Sequence, residues 1–353
     1  MAGTGHAHLR DDGDVVLRVT DLVQEFDVDG GTVKAVSGIS FDVLRGETLG
    51  IVGESGCGKS TTGRAVMQLP KPTSGSVRFE GRELTELSGS DVREARTRVQ
   101  MIFQDPVSSL NPRRTVRDSV LEPLAIWKRG SSDERGRIVD DILESVGIDP
   151  ERAAESRPHQ FSGGQCQRIS VARALVLDPT LIICDEPVSA LDVSVQAQVL
   201  NLLEDLKERY GLTLVFIAHD LAVVKNISDR VAVMYLGKLC EVATSDDLYA
   251  APMHPYTNLL VQSIPEPDPT ADHSIGEIIG EPPSPIDPPA GCRFHPRCPN
   301  ATAECERTEP ELRELAPDHF VACHHPVQVV PPSGVPADTE VAVVASPQSA
   351  PET

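Results

Sequence analysis

One glycine-rich stretch between two apolar segments limits what this chain can fold into. The apolar run Thr48–Val52 predicts a short buried strand, and residues 62–69 predict a helix that Pro70 ends. Between them lies the pattern G-x-x-x-x-G-K-[ST], formed by Gly53, Glu54, Ser55, Gly56, Cys57, Gly58, Lys59, Ser60 and Thr61. In this setting the pattern binds phosphate through inward-facing backbone N–H groups and a positive helix end. We therefore predict a nucleoside triphosphate site, with Lys59 on the β- and γ-phosphates and Ser60 on Mg²⁺.

Three further apolar strands end in polar side chains that suit the same chemistry. Residues 181–184 run into Asp185, placed to hold Mg²⁺, and Glu186, placed to polarise an attacking water as general base. Gln104 follows the strand 99–103, and its amide can ligate Mg²⁺ or orient water. His219 follows the strand 213–217, where an imidazole can contact the γ-phosphate.

The order of predicted elements indicates an α/β fold. Apolar strands without polar alternation, separated by helices, predict a parallel sheet covered on both faces. Before them, Val15–Val28 and residues 33–43 show strand-like patterns that predict an N-terminal antiparallel β subdomain. Apolar residues at three- and four-residue spacing predict a helical subdomain over about 105–160.

Composition divides the 353 residues into five parts. Residues 1–14 are polar and predict a disordered leader, and 15–250 form the nucleotide-binding domain. Residues 251–290 read as a proline-rich linker or extension, 291–327 as a small cysteine-rich region, and 328–353 as a disordered tail. No apolar stretch approaches the roughly 20 residues of a membrane-spanning helix, and no signal peptide is visible, so we expect a cytoplasmic chain.

The formal charge of −21 excludes some partners. Nucleic acids and anionic lipid surfaces are bound by clustered Lys and Arg, so we expect no nucleic-acid ligand.

A second anion-binding turn opens another predicted helix. Ser162, Gly163, Gly164 and Gln165 again expose N–H groups at a positive helix end. One nucleotide does not need two such turns from one chain. We infer that the second turn serves a nucleotide held by another copy or a homologue, which predicts a dimer with ATP between the subunits.

Together these residues resemble the nucleotide-binding domain of ABC transporters, a P-loop NTPase cassette, over roughly residues 15–327. The resemblance makes 53–61 the Walker A loop, Gln104 the Q-loop residue, 162–165 the signature, 181–186 the Walker B strand with catalytic Glu186, Asp192 part of the D-loop, and His219 the switch histidine. The signature starts with Phe161, where leucine is commoner in the family. The resemblance also favours Phe26 as an aromatic contact for adenine; the residue alone leaves a core phenylalanine equally open.

Finer likenesses point to one branch of this family. Residues 161–168, 181–192 and 217–225 resemble the F-type ATP-binding subunit of oligopeptide/dipeptide permeases, and 254–257 and 291–299 resemble that branch's C-terminal extension. The resemblance implies an ATP-hydrolysing translocase subunit on the cytoplasmic face of the cell membrane. Its expected partners are a homologous ATP-binding subunit, two transmembrane permease subunits and an extracytoplasmic peptide-binding protein.

Three other functions stay open at this point. The first is an importer ATPase for nickel or another small solute. The second is a soluble ABC protein of translation or DNA repair, but such proteins usually carry two cassettes or a long coiled-coil insertion. The third is a regulatory module that binds ATP without turnover, which the presence of Glu186 and His219 opposes.

Four late cysteines suggest a second cofactor. Cys292, Cys298, Cys305 and Cys323 contain no C-x-x-C pair, so a conventional zinc ribbon fits poorly, and cytosolic disulfides are rare. Four thiolates in a loop-rich segment suit an iron–sulfur cluster or an irregular Zn²⁺ site. The branch's extension resembles regions that hold a [4Fe–4S] cluster, so this cluster is expected beside ATP and Mg²⁺. Unligated thiols stay open, and nearby alternative ligands are His295, His319, His324 and His325.

Overall fold

Two β-sheets form the frame of the protein in a computed structural model that describes residues 5–264 and 280–327. The described strands are β1 (Val15–Val28), β2 (Gly31–Leu44), β3 (Thr48–Val52), β4 (Ser74–Phe79), β5 (Arg82–Glu83), β6 (Val99–Ile102), β7 (Leu181–Asp185), β8 (Thr213–Ala218), β9 (Arg230–Tyr235), β10 (Lys238–Thr244), β11 (Arg313–Ala316) and β12 (His319–Val321). The smaller sheet has the order β2-β1-β4-β5, and the larger has the order β11-β12-β10-β9-β3-β8-β7-β6.

Twelve α-helices connect or cover these strands in the described ranges. They are α1 (Lys59–Val66), α2 (Gly89–Arg98), α3 (Pro106–Ser109), α4 (Val116–Ile126), α5 (Ser132–Ser145), α6 (Pro150–Glu155), α7 (Gly163–Leu175), α8 (Val193–Tyr210), α9 (Leu221–Ile227), α10 (Ser245–Ala250), α11 (Pro255–Gln262) and α12 (Ala303–Arg307). Among the residues described, none of them combines the length and the apolarity that crossing a membrane would require.

The middle of the larger sheet is parallel and covered on both faces. β6, β7, β8, β3 and β9 all run the same way, with Ile51 of β3 opposite Ile217 of β8. Every residue of β3, β7, β8 and β9 is buried. Successive residues face opposite cores, since Ile182 packs into one apolar cluster and Ile183 into the other. These strands are continuously apolar because neither face of the sheet meets water.

This topology gathers the ends of four strands at one edge. Parallel strands share the edge at which their carboxyl ends lie, and ligands in such folds bind there. The residues that follow β3, β6, β7 and β8 include the phosphate loop (residues 53–61), Gln104, Glu186 and His219.

The antiparallel sheet and the helical segment lie where the sequence predicts them. β1 pairs antiparallel with β2 and β4, and its apolar residues Leu17 and Val19 join a buried cluster with Ile51 of β3. Helices α3 to α6 occupy the segment predicted to be helical, and the apolar faces of α4, α5 and α6 pack into the other cluster.

The expected disorder of residues 1–14 does not extend over residues 5–14. His8 is buried, and its Nε2 donates to the Ser40 carbonyl at 2.6 Å. The Arg10 guanidinium pairs with Asp42 at 2.8 Å and with Glu47 at 2.6 Å. The segment is ordered because it satisfies buried acceptors that are distant in sequence. Residues 1–4 lie outside the described residues.

The C-terminal extension is part of the larger sheet. β12 pairs antiparallel with β10, with Val321 opposite Glu241, and β11 continues the same edge. The predicted linker 251–290 contains α11, whose Tyr256 is fully buried. Residues 265–279 of that linker and the predicted tail 328–353 lie outside the described residues.

Candidate active site

The phosphate loop connects β3 to α1 through glycines that no other residue can replace. Gly53 has φ +151° and Gly58 has φ +107°, a backbone region that side chains disfavour. A Cβ atom at Gly53 would lie 2.0 Å from the Met234 carbonyl oxygen, and one at Gly58 would lie 2.2 Å from that of Ala35. The buried Lys59 Nζ donates to the carbonyls of Gly53 at 2.7 Å and of Glu54 at 3.0 Å. The ammonium therefore lies inside the loop and holds it closed.

A buried carboxylate faces the first turn of α1. The Ser60 hydroxyl donates to Asp185 Oδ1 at 2.5 Å, and Asp185 is fully buried. Its Oδ2 has no hydrogen-bond partner among the described residues, although Arg64 lies 3.7 Å away. Burial raises the pKa of Asp185, with the Ser60 hydrogen bond opposing. An orphaned carboxylate oxygen beside a hydroxyl has the donor chemistry that Mg²⁺ prefers, so these two residues fit the cation.

Glu186 lies beside Asp185 in a strained conformation. Its φ is +48°, a left-handed value that is uncommon for residues with a side chain and that tends to mark functional positions. The Glu186 N–H donates to the Ile217 carbonyl of β8 at 2.9 Å. Its carboxylate Oε2 lies 3.0 Å from Gln104 Nε2 and 3.2 Å from His219 Nδ1. Gln104 after β6 and His219 after β8 thus both contact the carboxylate of Glu186, which follows β7.

Gln104 contacts Glu186 in this structure. Its Nε2 donates to Glu186 Oε2 at 3.0 Å. The role expected from the sequence, a ligand for Mg²⁺ or a group that orients water, stays a prediction.

The second glycine-rich turn caps its own helix. Ser162 Oγ accepts from the Gln165 N–H at 3.3 Å, and Gln165 Oε1 accepts from the Ser162 N–H at 3.0 Å. Ser162 and Gly163 are exposed. A Cβ atom at Gly164 would lie 2.4 Å from Val195 at the start of α8, whose N-cap is Asp192. The turn therefore faces solvent at Ser162 and Gly163, while Gly164 packs against the start of α8, next to Asp192.

Comparison with known proteins follows the same division of the chain. Residues 36–189 match the ABC transporter family, and residues 240–305 match the C-terminal region of oligopeptide/dipeptide transporters. The oligopeptide transport ATP-binding protein AppF of Bacillus subtilis is 53% identical over 83% of this chain and 90% of its own length. The oligopeptide transport ATP-binding protein OppF of Salmonella typhimurium is 51% identical over 88% and 96%. The chain belongs to the oligopeptide/dipeptide branch of the ABC transporter family.

Solved structures agree with the ABC fold. A dimeric ATP-binding cassette, in a post-hydrolysis state with ADP and phosphate bound, aligns with a TM-score of 0.60 at 29% identity. The alignment covers 65% of this chain and 98% of that one. The predicted fold, a P-loop ABC cassette with an added C-terminal region, is therefore confirmed, as is the predicted family.

Phe26 lies near the end of β1 in the small sheet of this ABC cassette. It is in β1 opposite Val33 of β2, and its ring is 37% exposed. Two residues further along β2, the Ala35 carbonyl contacts the phosphate loop at Gly58. Phe26 is thus an exposed ring on the part of the small sheet that approaches the loop.

The four late cysteines of the ABC extension line one small cavity, together with Phe294 and four histidines. Burial raises the pKa of Cys292 to about 11 and that of Cys323 to about 12. Within residues 5–264 and 280–327, no three metal-binding side chains converge closely enough for a single metal ion. His319 does not line the cavity, because its Nε2 is 2.6 Å from the buried carboxylate of Glu241.

Sequence reasoning missed two contacts between the extension and the phosphate loop. The Tyr256 hydroxyl accepts from the Glu54 N–H at 2.8 Å. Arg297 donates through both terminal nitrogens to the Glu54 carboxylate, at 2.7 and 3.0 Å. Both residues stand in stretches that resemble the extension of the ABC branch, but no spacing in the sequence points from them to Glu54.

Proposed function

We propose that this subunit binds ATP with Mg²⁺ and hydrolyses it to drive the import of oligopeptides or dipeptides through a membrane transporter. One observation carries the hydrolytic part: Glu186, held at a strained φ, receives Gln104 and His219 next to the Ser60–Asp185 pair. Phosphoryl transfer to water requires a general base, polar groups that orient it and a cation site. The peptide cargo is supported by the names of the relatives, which are oligopeptide transport proteins.

The residues divide the work by position. The backbone N–H groups of the phosphate loop and Lys59 would bind the phosphates, and Ser60 and Asp185 would hold Mg²⁺, which neutralises charge on the phosphate oxygens. The Glu186 carboxylate would accept the proton of the attacking water. His219 is half exposed, with 52% of its side chain accessible, so it can meet the γ-phosphate from the solvent side.

A second subunit would complete the site. The Ser162 N–H is taken by Gln165 Oε1, and the N–H groups of Gly163 and Gly164 at the exposed start of α7 would bind a nucleotide held by a homologous subunit. The structural relative described above is itself dimeric. We extend the proposal to two transmembrane permease subunits and an extracytoplasmic peptide-binding protein, with this subunit at the cytoplasmic face of the membrane.

The cysteine cavity would hold a [4Fe–4S] cluster. One tetrahedral Zn²⁺ needs four sulfurs about 2.3 Å from a single point, whereas each cysteine of a cluster binds a different iron. Four cysteines lining one cavity can supply the four thiolates that such a cluster needs, which supports the proposal.

The transport proposal is tested by co-purification and by ATP hydrolysis with the other subunits of a peptide transporter. Expressed with two permeases and the second ATPase, the chain should co-purify with them and hydrolyse ATP faster when peptide-loaded binding protein is added. Glu186→Gln should keep ATP binding and lower the hydrolysis rate by about 10²–10⁴-fold. Glu204→Gln, an exposed carboxylate on α8, is the matched control and should leave the rate unchanged.

Two results would refute it. Hydrolysis by Glu186→Gln at the wild-type rate would remove Glu186 as the base. Stimulation by a loaded nickel-binding protein and not by a peptide-binding one would assign another cargo.

The cluster is tested by metal content. Anaerobically purified protein should be brown and contain about four irons per chain, as expected for Cys₄ ligation. Replacing Cys298 with Ser should lower the iron content, while replacing the buried Cys184 of β7 should not. Colourless protein with stoichiometric zinc would overturn the assignment.

A further inference from the structure

Two residues from outside the nucleotide domain hold the phosphate loop at Glu54. Arg297 of the C-terminal extension forms a two-pronged ion pair with its carboxylate, and Tyr256 of α11 accepts its backbone N–H. The Arg297 side chain is only 5% exposed, and that of Glu54 is 24% exposed. Such a bidentate pair fixes both distance and orientation, and partial burial strengthens it.

Arg297 is itself held in place by aromatic rings. Its guanidinium lies 5.7 Å from the centre of the Tyr235 ring and donates to the Tyr235 hydroxyl at 3.2 Å. Tyr235, Tyr256 and Phe294 are fully buried and contact one another edge to face or tilted, with ring centres 4.8–5.3 Å apart. This platform joins the end of β9, helix α11 and the cysteine-bearing segment, so Arg297 cannot easily turn away from the loop.

The pairing matters because of where Glu54 lies. It is the second residue of the loop that, on the function proposed above, surrounds a triphosphate carrying several negative charges. An unpaired carboxylate at that position would repel the phosphates, and the nearby Arg297 charge offsets it. The hydrogen bond to Tyr256 also fixes the peptide group between Gly53 and Glu54, the entry into the loop.

We propose that Arg297 and Tyr256 are positioning residues of the nucleotide site, through which the C-terminal extension orients the phosphate loop and raises its affinity for a nucleoside triphosphate. This inference rests on the proposed function. The extension is therefore a working part of the site as well as a carrier for the four cysteines, the second of which, Cys298, follows Arg297 directly.

The test is a mutant cycle read out as binding of a fluorescent ATP analogue to the full chain. Arg297→Gln should weaken binding about tenfold, within the usual range for coupling between sites. Arg297→Lys, which keeps the charge but loses the fork, should recover part of the affinity. Tyr256→Phe should weaken binding about fivefold, the equivalent of one lost hydrogen bond.

The cycle separates positioning from general damage. Glu54→Gln should bind close to wild type, because it removes the repelling charge itself, and adding Arg297→Gln to it should have little further effect. The matched control is Lys238→Gln, which breaks an ion pair of 2.5 Å between β10 and Glu309 of the extension and leaves the Arg297–Glu54 pair intact. It should leave the affinity unchanged.

Each outcome is decisive. The inference is overturned if Arg297→Gln binds the ATP analogue as tightly as wild type. It is also overturned if the affinity losses of Glu54→Gln and Arg297→Gln add in the double variant, or if Lys238→Gln loses as much affinity as Arg297→Gln. If Arg297→Gln does not fold, Arg297→Lys and the Glu54→Gln pair decide it in the same way. If wild type binds no better than Lys59→Ala, the proposed function fails, which is a different result.

Discussion

At the scale of single residues, His8 is a buried imidazole with one satisfied nitrogen. Its Nε2 donates to the Ser40 carbonyl, and its Nδ1 has no partner among the described residues. Burial lowers the pKa of His8, the charges of Arg230 and His6 lower it further, and Asp42 and the Ser40 hydrogen bond oppose them. The ring therefore fits its site only in the neutral form.

This predicts a stability loss on the acid side of neutrality. A histidine whose pKa is depressed in the folded state contributes stability that is present above its unfolded pKa of about 6.5 and is lost as the pH falls below it. Between pH 7.5 and 5.5, wild type should lose about 1 kcal/mol more unfolding free energy than His8→Asn. Urea unfolding at both pH values measures this.

The matched control is His159→Asn. His159 is an exposed histidine in the helical segment, between α6 and α7. The variant should lose as much unfolding free energy as wild type between the two pH values, and a response of His8→Asn identical to wild type would contradict the prediction.

At the scale of elements, β3 carries a glycine where α9 packs against it. A Cβ atom at Gly50 would lie 2.4 Å from Val224 Cγ1 and 2.6 Å from Ser228 Oγ. The strand and the helix therefore approach each other more closely than any larger residue allows, and the strand leads directly into the phosphate loop.

We predict that Gly50→Ala lowers the free energy of unfolding by about 1–3 kcal/mol, the usual cost of overpacking a core. Thermal and urea unfolding of the full chain measure the change. Gly13→Ala is the control, because a Cβ atom there meets nothing within 4 Å. A neutral Gly50→Ala would show that α9 moves freely on the sheet.

The central elements were predictable because their signals are local. Continuous apolar runs identify β7 and β8, since neither face of that sheet is exposed. The phosphate loop needs glycines whose backbone positions no other residue tolerates. Strands β11 and β12 have only four and three residues, too few for a periodic pattern.

The missing parts of the site depend on contacts that are distant in sequence. Arg297 reads as an ordinary arginine until the fold brings it to Glu54, 243 positions away. The polar segment around His8 and Arg10 reads as a disordered leader for the same reason. Local composition carries no information on partners that only the completed fold supplies.

At the scale of the whole molecule, one buried ion cluster joins the two sheets. Asp42 of β2 pairs with Arg230 of β9 at 2.7 Å and with Arg10 at 2.8 Å, and its side chain is fully buried. Burial opposes ionisation, but the Arg230 charge and the Arg10 N–H hydrogen bond hold the pKa of Asp42 below its usual range. This ion cluster therefore links β2 of the small sheet to β9 of the large sheet.

Asp42→Asn should therefore be costly. It removes the buried charge that Arg230 and the partly exposed Arg10 share and leaves them only the nearby Glu47, and breaking such a buried pair costs about 3–5 kcal/mol. The control is Asp140→Asn in the surface pair with Arg117, also 2.7 Å long, which should cost less than about 1 kcal/mol. Urea unfolding compares the two; equal losses would contradict the distinction between buried and exposed pairs.

The order of strands in the large sheet has a consequence for how the protein is made. β3 pairs only with β8 and β9, so Thr48 finds its partner at Leu214, and Glu54 waits for Arg297. At a synthesis rate of about 5–20 residues per second, those 243 positions take roughly 12–50 s. The β3 partner Leu214 is synthesised before Arg297, so the strand can pair before Glu54 gains its ion-pair partner. The Glu54–Arg297 ion pair therefore forms only after the strand, the loop and both strand partners of β3 have been synthesised.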